Sequence, residues 1–147
     1  YIDKSKEMTK LARKKISGSY SSSEVIFLEI SLEEFETHFK YDVVVTNFFL
    51  DVLKEEKLNS LMQKITKMLH PEGIWLMTDF RIDNSFNKIW QIPLIRLMYV
   101  FFRYTANLEN NKLLSFDKYF EELNFYAVVS KRFFSGMMES VVYKKTS

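Results

Sequence analysis

Two short apolar segments with an amphipathic helical pattern between them constrain the fold of this 147-residue chain more than any other feature. The first segment, Asp42–Phe49 (DVVVTNFF), contains an unbroken β-branched run, and the second is Gly73–Phe80 (GIWLMTDF). Continuous apolar strands are typical of parallel sheets that are covered on both faces. Between them, the apolar stripe of Glu55–Leu69 predicts a helix that Pro71 and Gly73 terminate. The pattern therefore predicts a strand–helix–strand unit with parallel strands.

The segment before this unit continues the alternation of helix and strand. Ser5 is a suitable helix cap, and the residues that follow have helical apolar spacing, at Met8, Leu11, Ala12 and Ile16. Val25–Ile30 (VIFLEI) then predicts another strand. The order up to residue 80 therefore indicates an α/β fold.

The last third of the chain differs, because it ends in two consecutive β-rich segments. A helix is predicted from Ser115 to Leu123, with Asn124 as a left-handed residue after it. The segments Tyr126–Phe134 and Met137–Tyr143 follow, and Ser135 and Gly136 between them are a two-residue hairpin signal. We therefore expect the chain to end in an antiparallel pair of strands.

Composition excludes several classes of function. The 21 basic and 19 acidic residues give a net charge of +2, so no nucleic-acid partner is expected. The absence of cysteine excludes disulfides, thiolate zinc sites and cysteine nucleophiles, and His38 and His70 are too isolated to predict a metal site. The most apolar stretch, Ile89–Phe102, is shorter than the roughly 20 residues that span a bilayer, so no membrane span is predicted. A cytoplasmic location is predicted.

The ordered segments resemble those of class I S-adenosylmethionine-dependent methyltransferases. Tyr1–Lys15 (YIDKSKEMTKLARKK) resembles the second motif of the family, and Phe39–Leu53 (FKYDVVVTNFFLDVL) resembles the fourth. Lys67–Phe80 (KMLHPEGIWLMTDF) is similar to the turn into the fifth strand, and Phe120–Lys145 is similar to the closing helix and hairpin. The resemblance implies a Rossmann-like, mostly parallel sheet with helices on both faces and a C-terminal antiparallel hairpin, in a single domain over residues 1–147.

One part of the family pattern has no counterpart. The three glycines, Gly18, Gly73 and Gly136, are far apart, whereas a phosphate-cradling loop needs two or three within about six residues. The first strand and the glycine-rich loop of the family are therefore expected before residue 1. On this interpretation the chain is the C-terminal two-thirds or so of a methyltransferase domain, and it is inactive alone.

The resemblance implies S-adenosylmethionine as the cofactor and gives the first motif-like segment a role in binding its nucleoside. Asp3 would accept hydrogen bonds from the ribose hydroxyls, since a carboxylate has two acceptor oxygens. The alternative for Asp3 is a helix cap. Lys4, Ser5 and Met8 would border the adenine and ribose, and the alternative for Met8 is a core position.

Two later segments complete the predicted cofactor contacts. Ser31 and the backbone of Leu32 would meet the adenine, although Ser31 also suits the start of a turn. Thr46, Asn47 and Phe48 would face the methionine part of the cofactor, because ligands of parallel sheets bind beyond the carboxyl ends of strands. The alternative for Phe48 is a core position.

Candidate catalytic residues are few, because methyl transfer depends chiefly on alignment of the reactants. Asp51 and Asp79 are the candidates for a base or a substrate contact. The predicted reaction is methyl transfer to a small-molecule acceptor. Ile89–Tyr104 suits a lid over a lipophilic acceptor, a homodimer surface or core packing, and the three alternatives stay open.

Two other functions also remain open at this stage. An NAD-dependent oxidoreductase would use Asp3 in the same way, and a non-catalytic α/β interaction domain would need no cofactor loop. The terminal hairpin argues against the oxidoreductase.

Overall fold

The computed structural model describes residues 1–17, 23–81, 93 and 116–146. These residues form two compact units, a first unit of Tyr1–His38 and a second unit of Phe39–Ser147. Apart from Pro93, the segment Ile89–Tyr104, for which a lid, a homodimer surface and core packing were the alternatives, lies outside the described residues. Among the described helices, none has the length and apolar content that a membrane crossing requires.

In the first unit, helix α1 spans Lys6–Ser17 and begins as the sequence predicts. The side chain of Ser5 accepts a hydrogen bond from the Met8 N–H at 3.3 Å, which caps the first turn. Met8 and Leu11 are 50% and 60% exposed, so the core position that was the alternative for Met8 does not occur. The buried residue of the helix is Thr9.

The strand predicted over Val25–Ile30 is wrong. The structure has only an isolated parallel bridge between Ile2 and Leu28 in this segment. Leu28 donates its N–H to the Tyr1 carbonyl at 2.9 Å and accepts one from Asp3 at 3.1 Å. The pairing stays this short because the partner segment turns into α1 directly after Asp3. The apolar pattern of Val25–Ile30 does not show how many residues of a neighbouring segment are available to pair with it.

The second unit contains a four-stranded sheet. Its elements are β1 (Tyr41–Asn47), α2 (Glu55–Met68), β2 (Leu69–Phe80), α3 (Asp117–Glu122), β3 (Phe125–Phe133) and β4 (Met138–Lys145). The strand order is β1-β2-β4-β3. Strands β1 and β2 are parallel, whereas β4 is antiparallel to both of its neighbours. The predicted strand–helix–strand unit, the α/β class and the terminal hairpin are therefore confirmed, and one of the three pairings in this sheet is parallel.

Strand β2 begins earlier than predicted, at Leu69 rather than Gly73. Proline is tolerated within a strand at an irregularity of the pairing. Such an irregularity occurs here, because Tyr41 pairs with Leu69 while Val43 pairs with Ile74. The strand can therefore pass through Pro71.

One face of the sheet is a closely packed core. Trp75 of β2 meets the ring of Phe120 from α3 edge-on, with centroids 4.8 Å apart. Phe120 also stacks on Tyr143 of β4 at 3.7 Å. Phe116 and Phe120 are both buried.

The expectation that β1 is covered on both faces is wrong for this chain. Val43 and Val45 are 45% and 54% exposed, whereas Thr46 is buried. Val43 and Val45 project to one face of β1 and Thr46 to the other, so only the face of Thr46 is covered.

The turn between β3 and β4 is longer than the predicted two residues. It covers residues 134–137, and Phe134, Ser135 and Gly136 all have positive φ. Asn124 has a φ of 60°, as its predicted left-handed role requires.

Candidate active site

Three strands of the sheet end at one edge. Strands β1 and β2 are parallel, and β3 runs in the same direction because β2 and β3 are both antiparallel to β4. Their last residues are Asn47, Phe80 and Phe133. We call this edge the carboxyl edge. Ligands of open α/β sheets bind at edges of this kind.

Asp51 and Asp79, the two predicted catalytic candidates, lie together at the carboxyl edge. Each is only 2% exposed. The Asp51 N–H donates to Oδ2 of Asp79 at 3.3 Å, and the Phe80 N–H donates to Oδ1 at 3.1 Å. The two carboxyl groups also hydrogen-bond with each other. What the sequence offered as separate candidates is therefore one carboxyl pair.

The pKa of Asp79 is raised from its ordinary 3.8 to about 8, chiefly by burial and also by the negative charge of Asp51 and the hydrogen bond between the two side chains. The two backbone N–H groups act in the opposite direction, since they stabilise the ionised form. At neutral pH the pair therefore holds one proton between its two carboxyl groups.

Sequence patterns did not reveal the charged cluster beside this pair. Glu139 lies opposite Asp79 in the β2–β4 ladder and is 6% exposed. It accepts a short hydrogen bond from Nη1 of Arg81 and a second contact from Nε of Arg132 at 3.4 Å. The hydrogen bond to Glu139 raises the pKa of Arg81. Only the register of the terminal hairpin against β2 could have placed these residues together.

An apolar row lies at the same edge, on the other face of the sheet from Asp79. Phe80 pairs with Met138, and Met138 pairs with Phe133, so their side chains share one face. The ring of Phe48 contacts that of Phe80, with centroids 4.9 Å apart. Phe48 and Phe133 remain 39% and 37% exposed. We call the four residues Phe48, Phe80, Met138 and Phe133 the aromatic row.

Phe48 has an unusual backbone conformation for a bulky residue, with a φ of 50°. Its N–H donates to the Thr78 carbonyl at 2.8 Å, which ties the chain after β1 to the end of β2. Strain of this kind persists only where the surrounding contacts hold it, and it is common at functional sites. Because the Phe48 ring is partly exposed, Phe48 does not occupy the core position that was its alternative.

Thr46 and Asn47 differ in accessibility. Asn47 is exposed at the end of β1. Thr46 is buried, and its Oγ1 accepts a hydrogen bond from Nε1 of Trp75 at 2.9 Å. The Thr46 hydroxyl therefore forms a hydrogen bond within the core.

Thr46→Val is expected to lower the free energy of unfolding by about 1–2 kcal/mol, because the buried Trp75 N–H loses its acceptor. Urea titration followed by Trp75 fluorescence measures the change. Thr46→Ser keeps the hydroxyl and should remain close to wild type. Thr66→Val is a matched control, since the Thr66 hydroxyl donates to a helix carbonyl and no buried donor is stranded. Equal losses in Thr46→Val and Thr46→Ser would contradict the explanation.

In the first unit, Asp3 organises the start of α1. Its Oδ1 accepts the Ser5 N–H at 2.9 Å, and its Oδ2 accepts the Tyr1 hydroxyl at 3.0 Å. Asp3 therefore forms the turn before α1, whereas the helix cap, which was the alternative role for Asp3, is supplied by Ser5. Because a carboxylate oxygen can accept a second hydrogen bond, both oxygens keep acceptor capacity. Lys4 is exposed, and Met8 presents an exposed thioether on α1.

Ser31 begins a turn. Its N–H and hydroxyl both lie within hydrogen-bonding distance of Oε2 of Glu34, at 3.2 and 3.0 Å, and its Oγ accepts the Glu34 N–H at 3.3 Å. This reciprocal arrangement is a capping box. The Ser31 backbone N–H lowers the pKa of Glu34. Leu32 is half-buried in this turn. No cluster of three or more metal-ligating side chains occurs in the described part of the chain.

Several solved structures similar to this one are methyltransferases. The N-methyltransferase NodS from Bradyrhizobium japonicum, in complex with S-adenosylhomocysteine, aligns with 99% of this chain at a TM-score of 0.70 and 13% identity. Magnesium protoporphyrin IX methyltransferase (ChlM) from Synechocystis, with bound S-adenosylhomocysteine, aligns with 99% at a TM-score of 0.67 and 13% identity. The chain has the class I methyltransferase fold.

A third similar structure is the 1,6-didemethyltoxoflavin N1-methyltransferase of Burkholderia thailandensis, with a TM-score of 0.62 and 15% identity over 99% of this chain. The chain spans 65% of NodS, 63% of ChlM and 60% of the toxoflavin enzyme. No protein family and no curated protein sequence matches the chain. The class I fold and the Rossmann-like arrangement predicted from the sequence are thus confirmed by structural similarity.

Proposed function

We propose that the full-length protein containing this chain transfers a methyl group from S-adenosylmethionine to a small-molecule acceptor. The observation that carries the proposal is the similarity of the fold, over 99% of the chain, to methyltransferase structures that hold S-adenosylhomocysteine. The carboxyl pair and the aromatic row support it, because both lie at the edge where ligands of such sheets bind.

The residues of the first unit fit the nucleoside of the cofactor. Asp3 keeps acceptor capacity on both carboxylate oxygens, which suits the two ribose hydroxyls. Met8 offers an exposed, polarizable surface for a purine, and Lys4 and Ser5 lie beside it in the sequence. Ser31 and the backbone of Leu32 are the proposed contacts to the adenine edge.

The residues of the second unit fit the reacting end of the cofactor. When bound, S-adenosylmethionine supplies an electrophilic methyl group on a positively charged sulfonium. The partly exposed ring of Phe48 would attract that charge, and the exposed Asn47 would hydrogen-bond the methionine part. Thr46 would lie at this end of β1, but its hydroxyl already accepts a hydrogen bond from Trp75.

We also propose that the acceptor is lipophilic. The aromatic row supports this, because Phe48 and Phe133 keep more than a third of their surfaces exposed at the carboxyl edge. Aromatic side chains stack on planar apolar molecules. Asp51 and Asp79 are proposed to support the transfer as a pair. The cytoplasmic location and the homodimer remain predictions.

The proposed domain is larger than this chain. Val43 and Val45 of the end strand are exposed, and a further strand with its covering helix would bury them. The chain also spans only 60–65% of three similar methyltransferases. We propose that the remaining strand and a glycine-rich loop lie in the segment before residue 1, and that activity requires them.

The proposal is tested by incubating the full-length protein with methyl-labelled S-adenosylmethionine and a panel of planar phenols, amines and carboxylic acids. We expect label to enter an apolar member of the panel, and S-adenosylhomocysteine to inhibit the transfer. A protein that binds S-adenosylmethionine but labels only highly polar acceptors would contradict the lipophilic acceptor alone.

A further inference from the structure

We propose that Asp51 and Asp79 act as a proton-sharing latch that positions the segment of Phe48–Leu53 on the end of β2. This inference rests on the proposed function, because the segment carries the Phe48 ring and follows Asn47, two of the proposed cofactor contacts. The aspartates are then positioning residues, and they act through the segment rather than on the methyl acceptor.

Two hydrogen bonds donated by described backbone N–H groups join the segment to β2. One runs from the Phe48 N–H to the Thr78 carbonyl at 2.8 Å. The other runs from the Asp51 N–H to Oδ2 of Asp79 at 3.3 Å. Between them lies Leu50, whose side chain is completely buried. The segment is therefore held to β2 at Phe48 and at Asp51 and is anchored between them by Leu50.

The burial of the carboxyl pair argues against direct chemistry. Asp51 and Asp79 are each 2% exposed, so neither presents its side chain at the surface where the exposed Asn47 and the Phe48 ring lie. A general base must come within hydrogen-bonding reach of the proton that it removes. A pair that already bonds with itself and with two backbone N–H groups is better suited to holding a loop.

The latch requires the shared proton. With one proton, one carboxyl group donates to the other, and the negative charge is spread over a hydrogen-bonded pair. With both groups ionised in a buried site, the like charges repel each other and the carboxyl–carboxyl hydrogen bond is lost. The segment of Phe48–Leu53 would then lose one of its ties to β2.

The neighbouring charges do not replace that proton. Glu139 faces Asp79 from β4 and is itself negative. The positive charges of Arg81 and Arg132 are directed to Glu139 by close contacts. Asp117, at the start of α3, lies 3.8 Å from Arg81 and adds a further negative charge. The described surroundings of Asp79 therefore favour retention of the proton.

The test measures amide hydrogen exchange of Phe48 and Asp51 in the full-length protein between about pH 6 and pH 9.5, corrected for the intrinsic pH dependence of exchange. In the wild type, we expect protection of the two amides to fall by up to about tenfold per pH unit as the pH rises to about 8, and to level off above it. Asp79→Asn mimics the protonated form and should keep nearly constant protection. If Asp79→Asn does not fold, Asp51→Asn replaces it as the test variant. Asp42→Asn, on the exposed start of β1, is the matched control, and its amide protection should change with pH as that of the wild type does.

Affinity for S-adenosylhomocysteine, measured by calorimetry over the same range, links the latch to the cofactor. We expect wild-type affinity to fall with the protection of Phe48, and the affinity of Asp79→Asn to stay level. Constant wild-type protection, or an equal decline in wild type and Asp79→Asn, would overturn the latch. Absence of S-adenosylhomocysteine binding at every pH would instead overturn the proposed function, so the two failures are distinguishable.

Discussion

Asp79→Asn is expected to stabilise the protein at pH 8 relative to wild type and to flatten the dependence of its stability on pH. The pKa of Asp79 is raised from its ordinary 3.8 to about 8, chiefly by burial. A raised pKa means that the folded protein binds the proton more tightly than the unfolded chain does. The resulting stabilisation is complete below about pH 4 and is lost as the pH rises to about 8, with a slope of up to about 1.4 kcal/mol per pH unit.

Urea unfolding at several pH values between about 4 and 8 measures this effect. The wild-type free energy of unfolding should fall by several kcal/mol across the window, whereas that of Asp79→Asn should change far less, because an amide does not ionise. Asp42→Asn removes a carboxylate from the exposed start of β1 and should retain the wild-type slope. Parallel curves for wild type and Asp79→Asn would show that Asp79 is not protonated in the folded state.

Asp3→Ala is expected to weaken S-adenosylhomocysteine binding by at least about 100-fold. The reason is the loss of two hydrogen bonds from ribose hydroxyls to a charged acceptor, each of which contributes about 1.5–3 kcal/mol. The effect on folding should be smaller, about 1 kcal/mol, because the Ser5 N–H loses its side-chain acceptor at the start of α1. Calorimetry and thermal unfolding of the same samples separate the two effects.

Two control variants distinguish the ribose contact from the turn. Asp3→Asn keeps an oxygen for the Ser5 N–H but loses the charge and one acceptor, so it should bind with intermediate affinity and near-normal stability. Glu7→Gln removes a nearby exposed charge and should bind as the wild type does. If Asp3→Ala keeps wild-type affinity and loses only stability, Asp3 is a turn-forming residue and not a ribose contact.

The fold was predictable where local pattern and topology agree. The apolar stripe of α2 between two strand segments predicts a parallel unit because a right-handed crossover is nearly obligatory. The terminal hairpin was predictable from two β-rich segments and a glycine turn. The predictions of a strand over Val25–Ile30 and of two covered faces for β1 were wrong for one shared reason. Both features depend on the partners that a strand finds and not on its own residues.

The site was predictable only in part. Strand ends in an open sheet indicated Asn47, Phe48, Asp51 and Asp79, because the topology alone brings these positions to one edge. That Asp51 and Asp79 touch was not predictable, since the path of the loop after β1 sets the contact. Glu139 lies opposite Asp79 through a register that only the folded hairpin defines.

We propose that the full-length protein binds S-adenosylmethionine and transfers its methyl group. Calorimetry of the full-length protein with S-adenosylhomocysteine and, separately, with NAD tests this proposal. We expect saturable one-to-one binding of S-adenosylhomocysteine and no binding of NAD. Binding of NAD without binding of S-adenosylhomocysteine would contradict it and favour an oxidoreductase, and binding of neither would favour a non-catalytic domain.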